Sequence, residues 1–334
     1  MAETFLARIV AATRADLTAR QAELPLDGLR AYVASAPPPR DFAAALRAPA
    51  GAPARLIAEV KRASPSKGML AERFDPVAQA RAYAAGGAAA ISVLTEERYF
   101  LGALDHLRAV RAAVELPVLR KDFILDPYQV YEARAAGADA VLLLAALLAD
   151  ARLGELLALA RALSMEPLVE AHDAGEVRRA VAAGARVVGV NARDLRTFTV
   201  DTNRVRELRP LVDADRVYIA ESGITTELDV ARARAFGADA VLVGEALMRA
   251  HNPAAATARL AHAAGGPLAA FFADVPWPFV KICGLRQPAH GALAARLGAD
   301  AFGLVFAPRA PAHRRVSVAQ ARAACTTARA CATE

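Results

Sequence analysis

The chain has three cysteines, Cys283, Cys325 and Cys331, and they form neither a zinc-ligand spacing nor a disulfide framework. A reducing, cytoplasmic setting without structural disulfides is therefore expected. Long apolar runs are also missing. The longest, Val141 to Ala149, is far short of the ~20 residues needed to cross a bilayer, so no membrane association is expected. Arg8 and Arg14 interrupt the apolar positions at the N-terminus, so no signal peptide is indicated. Aromatic residues are 6% of the chain, and no Lys/Arg block is interleaved with them, which argues against a nucleic-acid partner. The six histidines are scattered, so no metal cluster is expected. No nicotinamide or flavin motif is visible, and cofactor-free chemistry is expected.

What is present reads as globular: 55% hydrophobic and 23% charged residues in a chain of 334, enough for one large domain or two ordinary ones. The formal net charge of +6 suits anionic small substrates. Apolar spacing over residues 2–24 predicts a helix. The proline-rich stretch 25–54 reads as a linker with one short helix around Phe42 to Leu46. From residue 55 a rhythm begins. Strands are predicted at 56–60, 90–94, 117–121, 139–144, 167–171, 187–190, 217–221 and 240–243, with helical stretches rich in Ala, Arg and Leu between them. Four helix-to-strand junctions resemble one another: A-G-G-A-A-A-I-S-V at 85–93, A-G-A-D-A-V-L-L-L at 136–144, A-G-A-R-V-V-G-V at 183–190 and F-G-A-D-A-V-L-V-G at 236–244. Their glycines stand where a helix C-terminus needs a left-handed residue. The strands are nearly continuous apolar runs, as in parallel strands buried on both faces. Eight such units predict a (β/α)8 TIM barrel preceded by an extra N-terminal helix. A doubly wound open sheet is the rival, but no G-x-G-x-x-G follows the first strand.

In a barrel of this kind, polar residues at the carboxyl ends of strands are the functional candidates. The first strand sets the pattern. Ile57, Glu59 and Lys61 share one face, and Leu56, Ala58 and Val60 share the other. A basic, hydroxyl-rich loop, Arg62 to Gly68, follows. A salt-bridged strand end with a solvated turn is the plain alternative. The other strand ends add Lys121 and Phe123, Glu170, Asn191 and Arg193, Glu221 with Ser222 and Gly223, and Gly244 with Glu245. Ser222-Gly223 and Gly244-Glu245 each end a strand and begin a helix, which suits a phosphate. Clustered lysines are expected to lower one another's pKa, making one a general acid and a buried glutamate a base. His106 and His172 read as ordinary surface or helix-start residues.

These motifs, in this order, resemble the indole-3-glycerol phosphate synthase family over roughly residues 3–270. The segments that carry the resemblance are I-A-E-V-K-R-A-S-P-S-K-G, L-R-K-D-F-I-L-D-P-Y-Q, L-V-E-A-H, N-A-R-D-L-R-T-F and A-E-S-G-I. The resemblance implies a carboxy-lyase of tryptophan biosynthesis. Its substrate is 1-(2-carboxyphenylamino)-1-deoxyribulose 5-phosphate, which closes a ring and loses carbon dioxide and water. It implies Lys121 as the acid for ring closure and Glu170 as acid or base for dehydration. Glu59 and Lys61 complete the proton network, with the order of the lysines open. Asn191 and Glu221 hold hydroxyls and orient the lysines. Arg193 contacts the carboxylate end, and Phe123 packs on the anthranilate ring. Ser64, Ser222, Gly223, Leu242, Gly244 and Glu245 surround substrate or phosphate. The N-terminal helix covers the barrel mouth, and the first loop closes as a lid. Ala192 departs from the family's usual second polar residue, which implies a weaker contact there. A monomer or weak dimer is expected.

After Pro276-Trp277-Pro278 a new unit begins, with strands expected in 279–285 and 297–306 and a last helix from Val318. V-K-I-C-G-L resembles the start of phosphoribosylanthranilate isomerase. Domains are thus expected at 1–272 and 273–334, the second a partial barrel of about two βα units. The resemblance implies a bifunctional synthase/isomerase whose isomerase half is truncated and inactive, with Cys283 an inert, semi-exposed thiol. A sugar-phosphate isomerase or aldolase barrel, and a non-catalytic phosphate binder, are the rival readings. The second would need one of Lys121, Glu170 or Glu59 to be missing, and all are present.

Overall fold

Eight short parallel strands form a closed barrel: β1 (Arg55–Val60), β2 (Ala90–Leu94), β3 (Val118–Lys121), β4 (Ala140–Leu144), β5 (Leu168–Ala171), β6 (Val187–Asn191), β7 (Val217–Glu221) and β8 (Ala240–Val243). The last strand closes on the first, with Arg55 opposite Ala240 and Ala58 opposite Val243. The structure, a computed structural model, describes residues 5–49, 52–194 and 197–263 and, beyond these, the strands Lys281–Cys283 and Ala301–Gly303. The TIM barrel expected from the strand rhythm is the fold that forms.

The alternation in β1 is as the sequence indicates. Leu56, Ala58 and Val60 pack outward with the core beneath the helices, whereas Ile57 joins the inner layer. That inner layer holds side chains from every strand, among them Leu119, Leu142, Leu168 and Ile219. Helix α3 (Phe42–Leu46), capped by the Asp41 carboxylate on Ala44 N–H at 2.9 Å, inserts Phe42 and Leu46 among the strand-start residues Ala90, Val187 and Val217. The amino end of the barrel is thus closed with apolar volume, and the polar chemistry is left to the other end.

The repeated junctions have a physical content. Gly87, Gly137, Gly184 and Gly237 have φ between 84° and 89°, the left-handed conformation that ends each helix. The aspartates of the two G-A-D-A copies satisfy backbone amides near the start of the preceding strand. Asp139 accepts from Val118 N–H at 2.7 Å and Asp239 from Tyr218 N–H at 3.0 Å.

One element departs from expectation. Residues 25–54 hold a second helix, α2 (Leu26–Ser35), besides α3. The prolines flank this helix instead of breaking it. Pro25 precedes its first turn, and Ala36, extended before Pro37, ends it. Leu29 packs with Leu17 of α1 (Phe5–Glu23) and with Tyr128, so tertiary burial secures a segment that local composition disguises.

Among the described residues no helix is long and apolar enough to span a membrane. The chain divides into two compact units, Met1–Ala270 and Phe271–Glu334. In the second, Lys281–Cys283 and Ala301–Gly303 pair in parallel. The helix expected from Val318 and the side chain of Cys283 lie outside the described residues.

Candidate active site

The carboxyl ends of the strands surround one cavity of about 540 Å³. It gathers every residue singled out from the sequence: Glu59, Lys61, Ser64, Lys121, Phe123, Glu170, Asn191, Arg193, Glu221, Ser222, Gly223, Leu242, Gly244 and Glu245. They come from six strands and the loops that follow them, so the barrel alone brings them together.

At the floor stands a charged cluster. Lys121 Nζ donates to Glu170 Oε2 at 2.7 Å and lies 3.4 Å from Glu221 Oε2. Asn191 Nδ2 donates to Glu170 Oε1 at 2.9 Å. Lys61 pairs closely with Glu59, whose other oxygen is 3.5 Å from the Ser92 hydroxyl. Glu170 is 1% exposed, Glu221 2% and Glu59 3%, so each charge here must be compensated by a neighbour.

These surroundings reverse the tuning expected for Lys121. Burial works against its ammonium, but Glu170, Glu221 and Glu59 outweigh burial and hold the pKa above the ordinary lysine value. Carboxylates, not cations, are its neighbours. Burial raises Glu170 too, yet Lys121 and His172 win and keep its pKa well below the usual carboxylate range. Glu221 goes the other way: burial, reinforced by Glu170, pushes its carboxyl up to about 8. Lys121 and His172 thus favour the ionised form of Glu170, while burial and the neighbouring carboxylates favour the neutral form of Glu221. Glu221 Oε1 is buried without a hydrogen-bond partner, a polar atom free for a bound molecule.

Two glycines make room for this cluster. A Cβ on Gly189 of β6 would lie 2.2 Å from Glu221 Oε1, and one on Gly244 would lie 2.5 Å from Glu59 Oε1. Gly244 thus serves the Glu59–Lys61 pair as well as the turn after β8. Gly189 was not singled out from the sequence. A glycine inside a β-branched strand is the signal that marks such a close approach.

The turns after β7 and β8 both line the cavity. Ser222 and Gly223 both have positive φ, 67° and 75°, after β7, a curvature that turns successive backbone N–H groups to one side. Gly244 and Glu245 follow β8. Lys67, from the hairpin of strands Ala63–Ser64 and Gly68–Met69, reaches Glu245 at 3.5 Å, and Arg249 reaches the same carboxylate at 3.3 Å. Aromatic side chains also line the cavity. Phe123 and Phe100 stand 6.2 Å apart, and Gln129 pins the Phe123 loop by donating to Phe123 O at 3.0 Å. Phe5 of α1 also lines the cavity and meets Tyr99 edge-on at 5.0 Å. Phe100 had no motif to announce it.

His172 corrects a further expectation. It does precede helix α8 (Ala174–Ala182), as a helix-start residue, but its ring is mostly covered and lies beside Glu170 of the site. His106, by contrast, lies in the first turn of helix α5 (Leu104–Ala113). Among the described residues no group of three or more His, Cys, Asp or Glu could hold a metal ion.

A family model described as indole-3-glycerol phosphate synthase matches residues 6–260. A protein of that name from Roseiflexus castenholzii is 53% identical over 256 residues, covering 74% of this chain and 94% of its own. One from Nocardioides sp. is 56% identical over 252 residues, 75% of this chain and 96% of its own. One from Mycobacterium avium is 50% identical over 264 residues, 79% and 96% respectively.

Because a methyl group at position 189 would displace the Glu221 carboxylate, Gly189→Ala is expected to lower turnover ~100-fold while leaving the far-ultraviolet circular dichroism unchanged. Steady-state kinetics check this, and turnover within about twofold of the native chain would contradict the steric role.

Proposed function

The chain belongs to the indole-3-glycerol phosphate synthase family, and on that premise we propose how its cavity performs the reaction. The activity is a carboxy-lyase step of tryptophan biosynthesis, the ring closure of 1-(2-carboxyphenylamino)-1-deoxyribulose 5-phosphate with loss of carbon dioxide and water. The observation that carries the assignment of roles is the Lys121–Glu170–Asn191–Glu221 cluster, set between an anion cradle and an aromatic slot.

The phosphate docks on the backbone amides of Ser222, Gly223, Gly244 and Glu245, with Ser64 and Leu242 beside the chain of the sugar. The anthranilate ring packs on Phe123, and Arg193 faces its carboxylate. The ribulose carbonyl then lies over Lys121. As the ring carbon attacks, negative charge grows on that oxygen, and a permanent ammonium is well matched to it. Its proton passes to the oxygen as the alkoxide forms. Carbon dioxide then departs and leaves its electron pair to the ring. In the dehydration half, hydroxide leaves with a proton from an ammonium of the cluster, and the ring yields a proton to a carboxylate. Glu170, with Glu59 and Lys61, supplies these groups. Asn191 and Glu221 hold the substrate hydroxyls and the orientation of Lys121. Closure of the first loop excludes water.

We further infer a cytoplasmic monomer or weak dimer. The barrel would occupy residues 1–272, and 273–334 would be the beginning of a phosphoribosylanthranilate isomerase-like barrel of about two βα units, inactive by itself. The parallel pair Lys281–Cys283 and Ala301–Gly303 supports that reading, as does the likeness of V-K-I-C-G-L to the isomerase's first strand. Two such units cannot bury a core alone.

Formation of the indole product, followed by its fluorescence, tests the activity. Lys121→Ala is expected to lower turnover by at least ~100-fold while keeping inorganic phosphate binding; full turnover would refute the role of Lys121. A chain ended after residue 272 is expected to keep native kcat and KM. Loss of activity on that truncation would show the second segment to be part of the working enzyme.

A further inference from the structure

We propose that His172 is a positioning residue for the reaction. As an imidazolium outside the cavity, it fixes the Glu170 carboxylate and selects Glu170, rather than Glu221, as the base of the dehydration half. This rests on the acid–base role given to Glu170 above.

The ring is held from two sides. Nε2 lies 3.3 Å from Glu170 Oε1, an ion-pair contact, and Nδ1 lies 3.0 Å from Glu176 Oε2. The same Glu176 oxygen accepts the His172 backbone N–H at 2.7 Å, which locks residue, ring and the start of α8 together. The side chain is 11% exposed, and it is not among the residues that line the cavity. Nε2 makes no aligned hydrogen bond to Glu170, so the contact there is one of charge. A carboxylate beside each ring nitrogen favours the doubly protonated ring. The direction of its titration agrees: burial opposes the charge, but Glu170 and Glu176 carry the pKa up to about 10.

The consequence is a broken symmetry. Glu170 and Glu221 are both buried beside Lys121, and two such carboxylates do not both stay ionised. His172 touches Glu170 alone. Together with Lys121 on Oε2 and Asn191 on Oε1, it makes Glu170 the ionised member and leaves the proton on Glu221. Dehydration of the ring-closed alcohol removes one hydroxide and one ring proton, which together make the water. The hydroxide leaves with a proton from an ammonium, and the ring proton needs an ionised acceptor. The charged groups against the ring are Glu170 at the end of β5 and Glu176 on α8. Across Glu170 stand Lys121 of β3 and Glu221 of β7.

The test is the pH dependence of kcat and KM for the full chain carrying His172→Asn, His172→Gln or Glu176→Gln. Without a neighbouring cation Glu170 takes up its proton at higher pH, so activity that needs its carboxylate is lost sooner as pH falls. For His172→Asn the acidic limb of kcat is expected to move upward by about one pH unit, with kcat at neutral pH lower by about tenfold and KM within about twofold. Glu176→Gln, which retains the ring, should move the limb the same way by less, and it serves as the second measure should His172→Asn fold poorly. His172→Gln should behave as His172→Asn does, because neither restores the charge. An unmoved acidic limb, whether kcat is native or uniformly reduced, overturns the proposal. Glu170→Gln separates the two levels: turnover by that variant would remove the acid–base reading of Glu170 itself.

Discussion

Lys121 stands with its ammonium 2.7 Å from Glu170 and 3.4 Å from Glu221, on three strands that the barrel holds at fixed spacing. Charges this deeply buried are costly to desolvate, and only near-ideal geometry recovers the cost. Much of the surrounding structure can be read as the means of keeping that geometry. Gly189 and Gly244 leave space that any side chain would take from Glu221 and Glu59. Behind β3, the buried guanidinium of Arg120 pairs with Asp122 at 2.9 Å and Glu132 at 2.8 Å, which anchors the strand end from its outer face. The inner face is then free to present Lys121 to the cavity.

The cavity divides its labour by polarity. At one part of the lining, positive φ at Ser222 and Gly223 curves the backbone after β7. The aromatic side is held by hydrogen bonds that lie outside it. Glu96 accepts the amides of Tyr99 and Phe100 at 2.7 and 2.9 Å, and Gln129 holds the backbone of Phe123. Helix α1 is tied to the same loops by Phe5 on Tyr99 and by an Arg98–Asp16 ion pair. In the proposed pose, a substrate with a phosphate at one end and an anthranilate at the other would be oriented before any proton moves, with the charged cluster between its two ends.

The barrel was legible because its signals are local and repeated. Alternating faces in β1, left-handed glycines at four junctions and apolar strand runs each follow from nearest neighbours in sequence. Placement of the site followed from the barrel, since strand ends in such a fold converge. What escaped depends on contacts between distant elements. Helix α2 is secured by Leu29 against Leu17 and Tyr128, which proline counting cannot foresee. The sense of the Lys121 shift turns on which charges come close, and the close ones are carboxylates of β5 and β7. His172 ends the L-V-E-A-H segment, but only the fold sets its ring between Glu170 and Glu176.

Of the two buried carboxyls beside Lys121, Glu221 is expected to carry the proton and Glu170 the charge. Infrared difference spectroscopy of the full chain reads this directly through the carbonyl stretch of a buried protonated carboxyl. The band should be present at neutral pH, titrate away with a midpoint near 8 and vanish in Glu221→Gln. A neutral-pH spectrum without the band, or a band that survives Glu221→Gln, would contradict the account.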